Sequence, residues 1–308
     1  MLNFLLDITP DKSQLLITIK LAGILREKKQ EVYYTYTSNP AFTPVLYNKG
    51  ISNCVLYPDD FRWLKPDLTL LDCRHAAHAS LYRQLAIDYI FIAMQLPNQK
   101  NIQDKDISVL YLPPTPYLSS DSGPRLETLT KRLQDIKKDK ERNIIVGLLG
   151  KGNKNSKILE DFYRVIKRSS IRNPRYQFIL LTDIQNVYQS FELPGNMELF
   201  RTLNLNTILP LCDLALTDSH SDAWLDCTFA QIPVLKYSPK DMINITPMKL
   251  EQQIEYALQN KITLTQKAKE LCDFFERKNR EINKIADMLI ERAGRNRYNS
   301  CRLRPHTY

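Results

Sequence analysis

Glycine is scarce in this chain, with only eight among 308 residues. Phosphate-binding loops usually need glycine, because it lets backbone N–H groups approach a phosphate closely. The first strand–helix–strand pattern, residues 2–36, accordingly has no G-x-G-x-x-G segment. The fingerprint of a dinucleotide-binding site is therefore absent, and the sequence predicts no bound cofactor.

Paired cysteines are also lacking. The six cysteines, at positions 54, 73, 212, 227, 272 and 301, are scattered and form no C-x-x-C pair. Several lie in apolar runs, which is typical of small, reduced core residues in a cytosolic protein. The scattered cysteines therefore predict a cytoplasmic protein. No cluster of residues has the spacing of metal ligands, so the sequence predicts no metal site.

Long apolar segments are missing as well. The N-terminal segment MLNFLL is mostly apolar but lacks a basic start, and Asp7 ends the run, so we expect no signal peptide. No window of about twenty uncharged apolar residues is present, so the sequence predicts no membrane span.

The net charge of +9 indicates an acidic partner or simply a basic solvated surface. No RNA-binding or zinc-finger signature supports nucleic acid. Peripheral membrane contact stays open, although no helix pattern is basic on one face and strongly apolar on the other.

The chain does contain alternating apolar runs and helical patterns in both halves. Its 43% hydrophobic residues are enough for two cores. This alternation predicts an α/β protein with two Rossmann-like domains, parallel sheets flanked by helices, and helices at the C-terminus. We predict a first domain at 1–124, a charged linker or helix at 125–142, and a second domain at 143–308. The proline-rich segment 97–124 is predicted to be loops.

The most informative stretch is LPLCDLALTDSHSDAWLDCTFAQIP, residues 209–233. An apolar run is followed by a polar cluster at 218–222, a helical pattern from Ala223, and a second apolar run from Val234. In open parallel sheets, ligands bind at the carboxyl ends of strands, where the next helix begins. The polar cluster is therefore the best candidate for an anion-binding site.

This stretch resembles, without a gap, the donor-site motif of GT-B glycosyltransferases of the UDP-glycosyltransferase and macrolide-glycosyltransferase group. That motif reads roughly LPxCDLVITHGGSGTTLEALAAGVP, and Asp226 stands at its acidic position. Residues 21–33 are similar to the family's opening helix and second strand, 66–72 to its PDLVVxD strand, and 143–150 to the first strand of its C-terminal domain. The resemblance covers nearly the whole chain and implies the GT-B fold.

The resemblance also implies residues that bind the nucleotide sugar: Ser219, His220, Ser221, Asp222 and Asp226. Gly150 and Lys151, in the loop after the predicted strand 144–149, are candidate further contacts to the phosphates, and a solvated side chain is at least as favoured for Lys151. The two serines and the histidine can donate hydrogen bonds to a diphosphate. The Asp226 carboxylate would lie near the ribose hydroxyls. The family's His-Gly-Gly is replaced here by Asp218, Ser219 and His220, and the glycine that follows its serine is replaced by Asp222.

On the acceptor side, the family's general base falls on Gln14, whose amide cannot take a proton at neutral pH. Asp11 is the nearest candidate base, and a turn or helix-capping role for it is about equally favoured. Gln14, Arg74 and His75 are candidate acceptor-binding residues. A surface or capping role is the alternative for His75.

The resemblance thus implies a hexosyltransferase-type enzyme. It would move a sugar from a UDP- or dTDP-sugar, its co-substrate, to an acceptor hydroxyl with inversion. The replaced motif residues favour an alternative: a catalytically inactive GT-B-like binding or activating partner protein. A sugar-nucleotide epimerase of similar fold has no residue pattern of its own here.

Overall fold

The computed structural model describes residues 1–8, 12–35, 50–54, 64–94, 109–114, 124–149, 156–182, 192–219 and 221–302. The chain divides into two compact units. Unit 1 comprises Met1–Thr115 and Asp273–Tyr308, and unit 2 comprises Pro116–Cys272. Each unit contains one sheet with helices, and the strand pairs of both sheets are parallel. The predicted pair of Rossmann-like α/β folds is confirmed.

Unit 1 contains a six-stranded sheet in the order β3-β2-β1-β4-β5-β6. Its strands are β1 (Asn3–Asp7), β2 (Glu31–Thr35), β3 (Ser52–Cys54), β4 (Leu68–Asp72), β5 (Tyr89–Met94) and β6 (Val109–Leu112). Helix α1 (Lys12–Glu27) follows β1, and a 3₁₀ turn (Cys73–His75) and α2 (His78–Gln84) follow β4. The strand order reverses between β1 and β4, which is where open α/β sheets bind ligands.

Unit 2 contains a five-stranded sheet in the order β11-β10-β7-β8-β9. Its strands are β7 (Asn143–Leu148), β8 (Tyr176–Leu181), β9 (Met197–Phe200), β10 (Leu214–Asp218) and β11 (Val234–Tyr237). Its helices begin with α3 (Pro124–Lys138), α4 (Ser156–Arg172), α5 (Leu205–Ile208), a 3₁₀ turn (Leu209–Leu211) and α6 (Ala223–Phe229). They continue with α7 (Pro239–Asn244), α8 (Pro247–Gln259) and α9 (Lys261–Arg280), within which the two units divide. Here the strand order reverses between β7 and β10.

The sheet of unit 2 is packed tightly against its helices. Leu159, Phe162 and Ile166 recur at helical spacing on α4 and are completely buried. Burying each such side chain contributes about 1.5–3 kcal/mol. A Cβ atom on Gly147 of β7 would lie 2.5 Å from Leu180 Cδ2, so this glycine allows close packing beside β8. Strong apolar periodicity therefore fixes the scaffold that carries the loop after β10.

Helix α10 (Ile282–Arg302) differs from the prediction, because it belongs to unit 1. The sequence analysis assigned residues 143–308 to a second domain. Ile282, Ala286, Leu289 and Ala293 instead enter the same core as the buried side chains of β1. A period near 3.6 shows that a helix has an apolar face, but it does not show which sheet that face covers.

Two other segments refine the sequence prediction. The charged segment 125–142 is mostly helix α3, and Leu129, Leu133 and Ile136 on it enter the core of unit 2. Strand β6 lies within the segment predicted to be loops. It is a short strand at the sheet edge, followed directly by Pro113 and Pro114, and such a strand carries little sequence signal.

Two further expectations concern cysteines and membranes. Cys212, Cys227 and Cys272 are free and buried, as the sequence predicted, whereas Cys73 is free and exposed. None of the helices in the described part of the chain combines the length and apolarity that crossing a bilayer requires.

Candidate functional site

The polar loop that the sequence singled out lies at the strand-order reversal of unit 2. It begins at Asp218, the last residue of β10, which is 1% exposed. Asp222 is the N-cap residue of α6, which begins at Ala223 and has only seven residues. The loop therefore occupies the predicted position between a strand end and a helix start, although this short helix supplies a weak dipole.

The backbone of this loop is largely committed to internal hydrogen bonds. The Ser219 N–H donates to the Tyr237 carbonyl oxygen (2.9 Å), and the Ser221 N–H donates to that of Asp218 (3.2 Å). The Ser221 Oγ accepts from the Ala223 N–H at 3.1 Å. A phosphate here would be bound mainly by hydroxyl groups, because these two N–H groups are already used.

Two charged side chains lie beside the loop. Asp226 lies in the first turn of α6 and is 9% exposed. Lys236 of β11 places its Nζ 4.1 Å from the centroid of the Trp224 ring, and Trp224 lies in the same first turn. Partial desolvation lowers the pKa of the Lys236 ammonium, although the residue as a whole is exposed. The sequence analysis missed Lys236, which brings a positive charge to the first turn of α6.

Four of the predicted site residues lie outside the described residues: Asp11, Gly150, Lys151 and His220. Their assignments stay predictions.

A second polar cluster lies at the strand-order reversal of unit 1. Asp7 ends β1, which pairs with β4 in a register that matches Asp7 with Leu71. Asp7 Oδ1 lies 3.1 Å from His75 Nδ1, and Oδ2 lies 2.7 Å from His78 Nδ1. The Tyr82 hydroxyl donates to Oδ2 at 2.7 Å. We call these four residues the Asp7 cluster.

The environment of the Asp7 cluster is buried at one end and open at the other. Asp7 is 1% exposed, whereas the side chains of His75 and His78 are 25% and 48% exposed. The two imidazole rings lie 4.9 Å apart, centroid to centroid. Burial, and then the charge of Asp7, raise the pKa of the Tyr82 phenol, which keeps its hydroxyl a donor. The Asp7 carboxylate thus accepts a hydrogen bond from the buried Tyr82 hydroxyl and faces two imidazole rings that solvent can reach.

The predicted acceptor-binding residues have separate environments. Arg74 pairs with the buried carboxylate of Asp72, with Nη2 3.0 Å from Oδ2, whereas His75 belongs to the Asp7 cluster. Gln14 is 5% exposed in the first turns of α1, and its backbone carbonyl oxygen accepts from the Thr18 hydroxyl at 2.7 Å.

The sequence analysis found no metal-ligand cluster, and the structure differs on this point. Within the described residues, Asp7, His75 and His78 each offer a ligand atom, and these atoms all lie within 4.8 Å of one another. The sequence signal was a pair of histidines three positions apart, directly after a strand. It was missed because the third member, Asp7, lies 68 residues before His75 in the chain.

Comparison with solved structures supports the architecture. No protein-family model matches the sequence, and no curated protein matches it by sequence. The spinosyn rhamnosyltransferase SpnG superposes with a TM-score of 0.68 at 12% identity, covering 92% of this chain and 100% of SpnG. The glycosyltransferase SnogD from Streptomyces nogalater gives 0.62 at 14% identity, covering 95% and 99%. The chain has the GT-B fold.

A third GT-B protein, the glycosyltransferase VinC in complex with dTDP, gives a TM-score of 0.63 at 11% identity. It covers 96% of this chain and 100% of VinC. SpnG has also been solved with thymidine diphosphate. The resemblance in sequence and the likeness in structure therefore indicate the same group of folds.

Proposed function

We propose that this protein is a glycosyltransferase that moves a hexose from a UDP- or dTDP-sugar to an acceptor hydroxyl with inversion. The observation that carries the proposal is the motif-like loop, residues 218–222, at the strand-order reversal of a GT-B sheet. SpnG and VinC bind thymidine diphosphate. Their likeness in fold supports a nucleoside diphosphate as the leaving group here.

The donor diphosphate would be bound by side chains more than by backbone. The hydroxyl groups of Ser219 and Ser221 can donate to phosphate oxygens while their N–H groups stay in the loop. His220, Gly150 and Lys151 are predicted further contacts. Asp226 would accept hydrogen bonds from the ribose hydroxyls.

Charge is the main obstacle to this donor site. Asp218 and Asp222 flank the loop, and their negative carboxylates would repel a diphosphate. The Lys236 ammonium beside Trp224 offsets part of this charge. We therefore propose Lys236 as a contributor to donor binding.

In the transfer step, the acceptor oxygen would form a bond to the anomeric carbon from the face opposite the leaving group. The bond from that carbon to the phosphate oxygen would break, and its electron pair would leave with the nucleoside diphosphate. The proton of the acceptor hydroxyl would pass to a base, for which Asp11 is the predicted candidate. Gln14, Arg74 and His75 are the predicted acceptor contacts.

Calorimetric titration of the full chain with UDP, dTDP and their hexose conjugates tests the donor site. We expect one of these ligands to bind with 1:1 stoichiometry. Ser219→Ala should weaken that binding about 10–100-fold, the value of one hydrogen bond to a charged phosphate oxygen. Ser80→Ala, another exposed serine, is the matched control and should leave affinity unchanged. The proposal fails if no sugar nucleotide binds at millimolar concentration.

Release of nucleoside diphosphate in the presence of a panel of hydroxylated acceptors tests the reaction itself. Asp11→Asn should slow turnover on any acceptor that is glycosylated. Unchanged turnover would remove Asp11 from the role of base, and binding without turnover on any acceptor would favour a binding or activating protein.

A further inference from the structure

The Asp7 carboxylate lacks the permanent cation that pairs with two other buried carboxylates, Asp72 and Asp213. Asp72 pairs with Arg74, and Asp213 pairs with Lys261. Across the described ranges, neither a lysine nor an arginine lies within ion-pair distance of Asp7. A buried carboxylate is costly unless it is paired or coordinates a metal ion.

The groups facing Asp7 have the chemistry of metal ligands. Two imidazole nitrogens and one carboxylate form the donor set of many zinc sites that keep an open coordination position. Zn–N and Zn–O bonds of about 2.1 Å in a tetrahedron separate the ligand atoms by roughly 3.4 Å. The distances from Asp7 to His75 Nδ1 and His78 Nδ1 are 3.1 and 2.7 Å. Each of these two distances is within 1 Å of that separation, and the ligand atoms of the three residues all lie within 4.8 Å of one another.

The surroundings also suit an ion. The Tyr82 hydroxyl donates to Asp7 Oδ2, and hydrogen bonds from such outer groups orient metal ligands. His78 is half exposed, which gives an ion a path from solvent and leaves room for a fourth ligand. The cluster lies at the carboxyl ends of β1 and β4, where the strand order reverses and a ligand site is expected.

We propose that Asp7, His75 and His78 form a binding site for a divalent transition-metal ion of the Zn²⁺ type, with one coordination position open. The carboxylate supplies negative charge, and the two neutral imidazoles supply nitrogen donors. All three residues belong to unit 1, and the proposal does not depend on sugar transfer.

The direct test is titration of the chelator-treated full chain with Zn²⁺ by calorimetry and with Co²⁺ by visible absorption. We expect 1:1 binding, with Co²⁺ giving the intense bands of a four-coordinate site. His78→Ala should lower the affinity at least about 10–100-fold. Asp7→Asn, which keeps the shape and removes the charge, should have a comparable effect.

Matched controls separate this site from adventitious binding. Cys73→Ser changes an exposed potential ligand two positions from His75 and should leave Zn²⁺ affinity unchanged. Zn²⁺ should raise the melting temperature of the wild type but not that of His78→Ala, because a ligand stabilises only a state that binds it. His78→Ala alters a half-exposed side chain, so circular dichroism should report a native fold.

Two results would overturn the proposal. One is the absence of stoichiometric Zn²⁺ or Co²⁺ binding by the wild type, which would leave the cluster as a hydrogen-bonded carboxylate–imidazole group. The other is wild-type affinity in both His78→Ala and Asp7→Asn, which would locate the ion elsewhere. Neither result bears on donor binding, which is measured separately with UDP and dTDP.

Discussion

The two sheets place polar clusters at equivalent points but assemble them differently. In unit 2, the candidate residues of the described loop lie between Asp218 and Asp226, within one strand end and the first turn of a helix. In unit 1, His75, His78 and Tyr82 lie 68, 71 and 75 residues from Asp7. The first cluster is local in sequence, and the second exists only because β1 and β4 are neighbours.

This difference explains what each cluster depends on. The local loop needs only the strand–turn–helix geometry around it. The Asp7 cluster needs the β1–β4 register, because a slip of one residue would turn Asp7 to the opposite face of the sheet. Changes in the core of unit 1 should therefore disturb the Asp7 cluster and leave the donor loop intact.

The largest expected effect comes from Leu289→Ala in α10. Leu289 is completely buried in the core that also contains β1 side chains, and such truncations cost about 2–5 kcal/mol. Hydrogen exchange should become faster in unit 1 and change little at residues 209–237. Met288→Ala is the control, since Met288 is 49% exposed. If hydrogen exchange became equally faster in both units, the polar loop of unit 2 would also depend on the core of unit 1, contrary to our expectation.

A smaller effect is expected from Asp226→Asn in the local cluster. If its carboxylate binds the ribose, affinity for UDP or dTDP should fall about 10–100-fold, the value of a charged hydrogen bond of about 1.5–3 kcal/mol. Calorimetric titration measures this change, and Asp161→Asn on the exposed part of α4 is the control. Unchanged affinity would exclude the ribose contact.

Tyr82→Phe tests the long-range cluster through stability. It removes a 2.7 Å hydrogen bond to a buried carboxylate, and we expect a loss of about 1.5 kcal/mol in urea denaturation. Tyr163→Phe in unit 2 removes bonds of 3.3 and 3.2 Å to neutral carbonyl groups and should cost about 0.5–1 kcal/mol. A larger loss for Tyr163→Phe would reverse the expected ranking.

The smallest effect concerns a purely local feature, the capping box of α7. Hydrogen bonds from the Ser238 side chain and backbone lower the pKa of Asp241. A lowered folded-state pKa stabilises the fold above the ordinary Asp value of about 3.9, and this is lost as pH falls through the lowered pKa. The melting temperature of Asp241→Asn should thus lie slightly below wild type at pH 7, and the difference should vanish in acid. A difference that grows in acid would show the opposite linkage.

Much of the fold could be predicted because its signals are local. The apolar run 213–217, the polar cluster and the helix from Ala223 agree with β10, the loop and α6 to within a residue or two. The assignment of α10 could not be predicted, since its apolar face fits either sheet. Strand β6 was missed because a four-residue edge strand that runs directly into two prolines has almost no pattern of its own.

The sequence by itself determined the alternation of strands and helices, the resemblance to glycosyltransferases, and the position of the polar loop between β10 and α6. Each of these depends on residues that are neighbours in the chain. Only the tertiary structure brought Asp7 to His75 and His78, moved α10 into unit 1, and placed Lys236 over Trp224. These contacts depend on which strands pair and which helix covers them, and pairing over such sequence separations is set by packing of the whole unit.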